Sequence, residues 1–486
     1  MPQKSVCIIG AGIGGLSAGI RLARRGYDVT VFEKEKSPGG KASSIEFDGF
    51  RFDTGPSLVT MYNVIEELFG DSGEDITDYL TVSKLDVLCR YFYPDGTILN
   101  AYQDIAKFAA EIEKNTADKR NSLEKYLKYA KKIYDLTAEI FLYNSDKGIK
   151  NFLTVKSLKT MFSIGGIDPF RTMHKANRSF FRDDKLVQLF DRYATYNGSN
   201  PYLAPATLNI ISYVENSLGG YYFEGGMRAL PEALFKLAVK KGVNFRFGEK
   251  VNSFEKRNSE ITAVITGNSR YEFDYYISNA DALVTNSELL KDGKNIKENE
   301  LSTSALVFYW GIEGHADGLE THNILFANDY KQEFEDLFGK KIIHNDPTVY
   351  VYISSKFKKS DAPENCSNWF VMVNAPADYG QDWDANVSAI KEIIILKIHS
   401  LTGIDLSSKI KAERYLTPEI LEDKTGSYRG SIYGYSSNSK FSAFLRTPNK
   451  SGKFKNLFYC GGSSHPGGGI PLVILSGRNA AAMIEN

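Results

Sequence analysis

Between residues 5 and 33 the chain reads strand, glycine turn, helix, strand, and this unit constrains the fold more than any other stretch. Ser5–Ile9 is a short apolar run, and Gly10-Ala11-Gly12-Ile13-Gly14-Gly15 satisfies the pattern G-x-G-x-x-G. Residues 16–25 then place apolar side chains on one helical face. Gly10 permits the turn, Gly12 lets the backbone approach a pyrophosphate, and Gly15 lets the helix lie close to the strand. Gly26 ends the helix where a left-handed cap is needed. Residues 27–32 alternate into a second strand, and Glu33 closes it 18 residues after Gly15. A carboxylate there accepts hydrogen bonds from the ribose hydroxyls of an adenosine, while the phosphates meet the positive end of the helix. The unit therefore predicts a Rossmann-type dinucleotide domain, and on its own it serves NAD and FAD alike.

The rest of the chain arranges itself around that domain. Its 486 residues exceed what one simple core holds and point to two joined domains. Residues 63–215 read as mostly helical, as in 102–114 and 120–140. A helix at 230–241, opened by Pro231 and closed by Gly242, precedes strand-like runs at 244–247, 261–266 and 271–277. Further strands are expected at 305–312, 348–353 and 369–374, then a helix at 383–401. A strand at 456–460, a glycine-rich loop at 461–469 and a helix at 470–484 close the chain. The nucleotide domain is thus expected to be discontinuous, built from residues 1–75, 219–295 and 440–486. Residues 76–218 and 296–439 form an interleaved α+β substrate domain.

Charge removes one class of function. With 59 basic and 59 acidic residues there is no bulk electrostatic case for nucleic-acid binding. The four cysteines are scattered, which argues against a disulfide framework or a zinc site and suits a reducing, cytoplasmic setting. Residues 1–23 superficially mimic a signal peptide, but five glycines and the arginines that follow do not suit a cleaved segment. No run approaches the roughly 20 apolar residues that span a bilayer. Residues 147–173 instead mix Lys147, Lys150, Lys156 and Lys159 with apolar side chains, a pattern that suits a lipid surface as well as a packed helix. Aromatics, at 13%, either fill a large core or line a long apolar channel.

Three further glycine segments bear on the cofactor. Ser37-Pro38-Gly39-Gly40-Lys41-Ala42 places a second glycine pair and a cation soon after Glu33, and Phe52-Asp53-Thr54-Gly55-Pro56-Ser57 adds another turn. At the far end, Cys460-Gly461-Gly462-Ser463-Ser464-His465-Pro466-Gly467-Gly468-Gly469-Ile470-Pro471 runs from a strand into a helix whose first turn holds a proline. Such a helix start favours negative charge beside it.

These blocks resemble the phytoene-desaturase-type bacterial carotenoid desaturases. The resemblance includes Gly219-Gly220-Tyr221-Tyr222-Phe223-Glu224-Gly225-Gly226-Met227, Ser278-Asn279-Ala280-Asp281, Leu416-Thr417-Pro418 and Gly430-Ser431-Ile432-Tyr433-Gly434. Amine oxidases of similar architecture commonly carry an acid where Gly462 stands here, which favours the desaturase branch. Within that branch the chain is most similar to enzymes forming the 3,4 double bond of 1-hydroxylated carotenoids. A phytoene or dehydrosqualene desaturase, an amine-oxidase-like flavoenzyme and a non-catalytic prenyl escort remain alternatives.

The resemblance implies a glutathione-reductase-like FAD-binding domain of amine-oxidase/desaturase architecture with noncovalent FAD. It implies cofactor contacts at Gly10, Gly12, Ile13, Gly14, Gly15, Glu33, Lys34, Gly40, Lys41, Gly55, Pro56, Ser57, Val251, Asn279, Gly461, Gly462, Gly469, Ile470 and Pro471. It also implies a carotenoid substrate, a position at the cytoplasmic membrane face, and dioxygen or a quinone as electron acceptor. No catalytic acid or base and no metal ligand is assigned. His465 is expected to structure its loop, and Arg171 and His174 are lesser candidates near a channel.

Overall fold

The computed structural model describes residues 3–138, 164–292, 296–439 and 446–484. Lys147, Lys150, Lys156 and Lys159 lie outside these residues.

The opening unit folds as its glycines require. Strand Ser5–Ile9 leads through Gly10, at φ 97°, into helix Ile13–Arg24, and Gly26 at φ 86° turns the chain into strand Asp28–Glu33. These strands occupy the middle of a five-stranded parallel sheet. Its order is Leu457–Tyr459, Tyr275–Ser278, Ser5–Ile9, Asp28–Glu33, Asn244–Phe247. Three distant parts of the chain thus share one sheet. Its central strands are apolar on both faces, as burial from both sides demands.

Small residues set the helix packing over this sheet. A Cβ on Gly477, in the closing helix Ile470–Ala482, would lie 2.4 Å from the Gly14 carbonyl oxygen. One on Gly15 would lie 2.2 Å from the Gly10 oxygen. The first and last helices therefore cross in direct backbone contact, and the Ser17 hydroxyl donates to the Ile474 carbonyl at 2.8 Å.

A second sheet of seven strands holds the other side of the molecule. Its order is Ile410–Leu416, Ser304–Glu313, Cys366–Ala375, Val349–Tyr352, His322–Leu325, Val87–Phe92, Ile98–Tyr102. Strand alternation divides its faces. Leu306, Phe308, Trp310, Val371 and Val373 pack with Ile390, Ile394 and Ile398 of helix Trp383–Thr402. Each such buried side chain contributes roughly 1.5–3 kcal/mol. The opposite face, with Ala305, Val307, Tyr309, Phe370 and Met372, is turned inward to a cavity.

The chain departs from the sequence reading where pairing is long-range. The expected helical stretch 63–215 contains strands Val82–Lys84, Val87–Phe92 and Ile98–Tyr102. Val87–Phe92 pairs in parallel with His322–Leu325, more than 200 residues away, and that partner decides its state. The helices that follow run Ile105–Asn115 and Arg120–Thr137, the former capped by Asp104. The run at 271–277 is interrupted: Ser269–Tyr271 ends a three-stranded antiparallel sheet, and Tyr275–Ser278 belongs to the parallel one.

Candidate functional site

One cavity of about 1200 Å³ extends from the glycine loops of the parallel sheet to the inward face of the seven-stranded sheet. This exceeds the roughly 300–1,000 Å³ of ordinary small-ligand pockets. It has room for a dinucleotide and a second, elongated molecule.

At the glycine end, helix Ile13–Arg24 starts at Gly12 without a side-chain cap, and Gly12 and Ile13 line the cavity. The loop at Gly39 lies against it: the Gly39 N–H donates to the Ala11 carbonyl at 3.0 Å. Added to Gly12, a Cβ would stand 2.9 Å from Asn279 Nδ2, which itself donates to the Gly10 carbonyl at 3.2 Å. Glu33 is buried at the cavity edge. One carboxylate oxygen accepts from the Ala11 N–H at 2.7 Å and the other from the Glu35 N–H at 2.9 Å. Each oxygen keeps a further acceptor site for a ribose hydroxyl.

The closing helix supplies a second uncapped start. Gly469 at φ 98° precedes Ile470 and Pro471, and all three line the cavity. Gly468 is obligatory here, since a Cβ would fall 2.1 Å from the Tyr433 ring. Behind this loop Arg446 donates to the Tyr433 carbonyl at 2.9 Å and the Gly462 carbonyl at 3.3 Å. Burial lowers this guanidinium to about 10, so it braces carbonyls in place of water.

Lys41 lines the wall and donates to the Ile432 carbonyl at 2.6 Å. Burial pulls its ammonium below the ordinary value, and the charge of Asp281 opposes that. Asp53 proves to be a strut: it accepts from Arg51 at 2.9 Å, the Met227 N–H at 3.1 Å and the Tyr352 hydroxyl at 3.2 Å. It thereby ties the Gly55-Pro56-Ser57 turn to the Gly225-Gly226-Met227 block.

Of the residues expected at a cofactor, Gly10, Gly12, Ile13, Glu33, Lys34, Gly40, Lys41, Gly55, Pro56 and Ser57 line this cavity. Val251, Asn279, Gly461, Gly462, Gly469, Ile470 and Pro471 line it too. Gly14 and Gly15 stand behind it as packing positions against Gly461, Asn279 and the Gly10 oxygen. Arg171 and His174 are not brought to the cavity: they pair with Asp168 and Asp191. His465 is held through its backbone, its carbonyl accepting from Ser476 and Asn449.

The wall away from the glycines is mainly apolar, with Leu58, Leu208, Ile211, Val214, Val307 and Ile324. Aromatics do both things the composition allowed. Tyr309, Tyr350 and Phe370 line the cavity, whereas Trp310, Trp369 and Tyr126 fill cores. The sequence reading missed Arg192, Glu215, His322 and Tyr350, all of which line the cavity. The alternation of 348–353 could have put Tyr350 on an inward face; nothing local marks Arg192 or Glu215.

These features suit FAD: two uncapped helix starts, glycines where a Cβ would fill the wall, a carboxylate at ribose position, and a long extension beyond. The sequence profile of the flavin containing amine oxidoreductase family matches residues 13–303. A 1-hydroxycarotenoid 3,4-desaturase of Flavobacterium sp. (strain P99-3) is 43% identical over 100% of this chain and 99% of its own length. A 4,4'-diaponeurosporene oxygenase of Staphylococcus haemolyticus (strain JCSC1435) is 34% identical over 100% of this chain and 98% of its own. Among solved structures, putrescine oxidase with bound putrescine shares the fold at TM-score 0.62 and 13% identity, covering 99% of this chain and 98% of its own. The chain is an FAD-dependent oxidoreductase of the flavin containing amine oxidoreductase family, and within it belongs with the bacterial carotenoid desaturases.

Proposed function

We propose that this protein introduces a double bond into a carotenoid by removing a hydride and a proton from an allylic CH2–CH2. The observation that carries this reading is one continuous cavity joining the glycine loops to a long apolar chamber. The finer proposal, supported by the relative named for that reaction, is 3,4-desaturation of a 1-hydroxylated acyclic or monocyclic carotenoid. Bound FAD would supply the hydride acceptor, and dioxygen or a quinone would later take the two electrons.

The chain's own residues hold and exclude. Gly12 and the first helix start would carry the pyrophosphate, Glu33 the ribose, and Lys41 with Gly55-Pro56-Ser57 the middle of the cofactor. The uncapped start at Gly469-Ile470-Pro471 would lie where the ring system gains charge, and its positive end would favour that gain. The sheet face of Val307, Phe370 and Met372 keeps water from the polyene. The conjugated chain delocalises charge at the reacting carbons, so the proton would pass to solvent without a strong base. Glu215 fits that role poorly, for it is tied to Arg192 and three tyrosines surround the pair.

Because a relative is named an oxygenase, oxygen insertion is the second reading. Incubation with a 1-hydroxylated carotenoid in liposomes, with a quinone present, is expected to yield a product two hydrogens lighter that absorbs at longer wavelength. A product one oxygen heavier would replace desaturation by oxygenation, and unchanged substrate would count against both.

A lipid-soluble substrate also calls for access from a membrane. Among the described residues no helix is long and apolar enough to cross one. Phe170 is 64% exposed and Leu203 53%, on two segments joined by the Thr172–Pro205 bridge. We expect the protein to co-sediment with anionic liposomes. The double substitution Phe170→Ser and Leu203→Ser should weaken that binding, and acidic replacements of Lys150, Lys156 and Lys159 should weaken it by about 1 kcal/mol per cation. Unchanged sedimentation in both variants would remove the peripheral-membrane proposal.

A further inference from the structure

A cavity for a hydrocarbon has no use for unpaired buried polar atoms, since each is destabilising when left unsatisfied. Yet several residues of its lining carry such an atom. Among the described residues, His322 Nε2, the Tyr330 and Tyr309 hydroxyls and Arg192 Nε are buried without a hydrogen-bond partner, and all four residues line the cavity.

The charge of Arg192 reaches both His322 and Tyr330. Arg192 donates to the Tyr91 hydroxyl at 2.9 Å and pairs with Glu215 at 3.4 Å, its guanidinium lying over the rings of Tyr91, Tyr193 and Tyr196. Tyr91 stacks on Phe326, whose ring meets Tyr330 edge-on at 5.7 Å. His322 stacks at 5.1 Å on Tyr352, and its Nδ1 bonds the Tyr350 hydroxyl at 2.8 Å. That hydroxyl in turn bonds Ser57 Oγ at 2.5 Å. Ser57 follows Gly55, where a Cβ would lie 2.0 Å from the Lys41 carbonyl oxygen. The chain His322–Tyr350–Ser57 therefore leads from His322 to the Gly55-Pro56-Ser57 loop.

Resting on the polyene reading above, we infer that His322, with Tyr330 beside the Arg192–Glu215 pair, is the receptor for a hydroxyl group near the end of the polyene. The chemistry selects an alcohol. Arg192 is neutralised by Glu215, so no net positive charge waits for a carboxylate. Burial, and then the charge of Arg192, lower His322 to about 3, so its ring is neutral near pH 7. A neutral imidazole nitrogen and a phenol together offer both donor and acceptor, as an alcohol requires. The location agrees with a hydroxyl carbon two positions from the reacting bond, since such a group must bind beside the cofactor and not at the far end.

The test compares a terminally hydroxylated polyene with the same polyene lacking the hydroxyl. Flavin-loaded wild type, His322→Phe and Tyr330→Phe are examined in phosphatidylcholine liposomes. Two ratios are read for the pair of polyenes: dissociation constants of the oxidised protein without an acceptor, and kcat/KM with a quinone. Wild type is expected to favour the alcohol about tenfold or more in both, the worth of a satisfied buried hydrogen bond. His322→Phe keeps the ring stacked on Tyr352 and should bring both ratios near one by loss on the alcohol alone. Tyr330→Phe should move them the same way, and it decides the matter if His322→Phe fails to fold. Equal handling of the two polyenes by wild type, or an unchanged ratio in the variants, overturns the receptor while leaving desaturation intact; an ordered water would then explain the polar atoms. A binding preference lost in His322→Phe, with neither polyene desaturated by wild type, keeps the receptor and overturns the desaturase reading.

Discussion

Gly12→Val protein is expected to purify folded and colourless. A Cβ at Gly12 meets Asn279 Nδ2 at 2.9 Å. Valine's branched atoms would crowd the cavity wall that Gly12 forms, where the pyrophosphate would lie against backbone. The backbone at Gly12, with φ −72°, accepts any residue, so the helix and the sheet should survive. FAD content should fall at least about tenfold, a cost of roughly 1.4 kcal/mol or more, and desaturation with it. Gly452→Ala is the control, since its Cβ meets nothing within 4 Å and flavin should stay. Absorbance near the flavin bands, with circular dichroism on the same samples, reads the outcome. Full flavin content in Gly12→Val would remove the cofactor placement.

The second large effect concerns the closing helix. Inserting one alanine between Gly469 and Ile470 forces a choice, because the helix body is locked by Ser17 on Ile474 and by Gly477 on the Gly14 oxygen. The extra residue must therefore displace the helix start, turning its N–H groups by about 100° and advancing them by about 1.5 Å. FAD should still bind through the first helix and Glu33. Its reduction potential should fall, because the positive helix end no longer faces the ring, and desaturation should be largely lost. A redox titration beside product analysis checks both. If potential and activity match wild type, the C-terminal glycine block serves packing alone.

What could be read from the sequence follows from the range of the interactions involved. The glycines at 10, 12 and 15, the cap at Gly26 and the acid at Glu33 act over a few residues, so their geometry is written locally. The closing helix was legible for the same reason, with Pro471 in its first turn. Val87–Phe92 was not, because its partner strand begins at His322 and only the assembled sheet makes it a strand. The polar wall was equally hidden. Arg192 and Glu215 meet across a turn and a helix, and His322 stands alone in a short strand, so each resembles an ordinary surface residue until its neighbours are in place.

The central claim is that hydrogen is removed from the polyene and nothing is added. The most direct measurement is a single turnover without dioxygen or quinone, mixing flavin-loaded protein with a 1-hydroxylated carotenoid while recording flavin and polyene absorbance together. Flavin absorbance is expected to bleach as the polyene band moves to longer wavelength, one flavin per double bond, with product two hydrogens lighter. A flavin band that stays unchanged until dioxygen is admitted, followed by a product carrying a new oxygen atom, would contradict it.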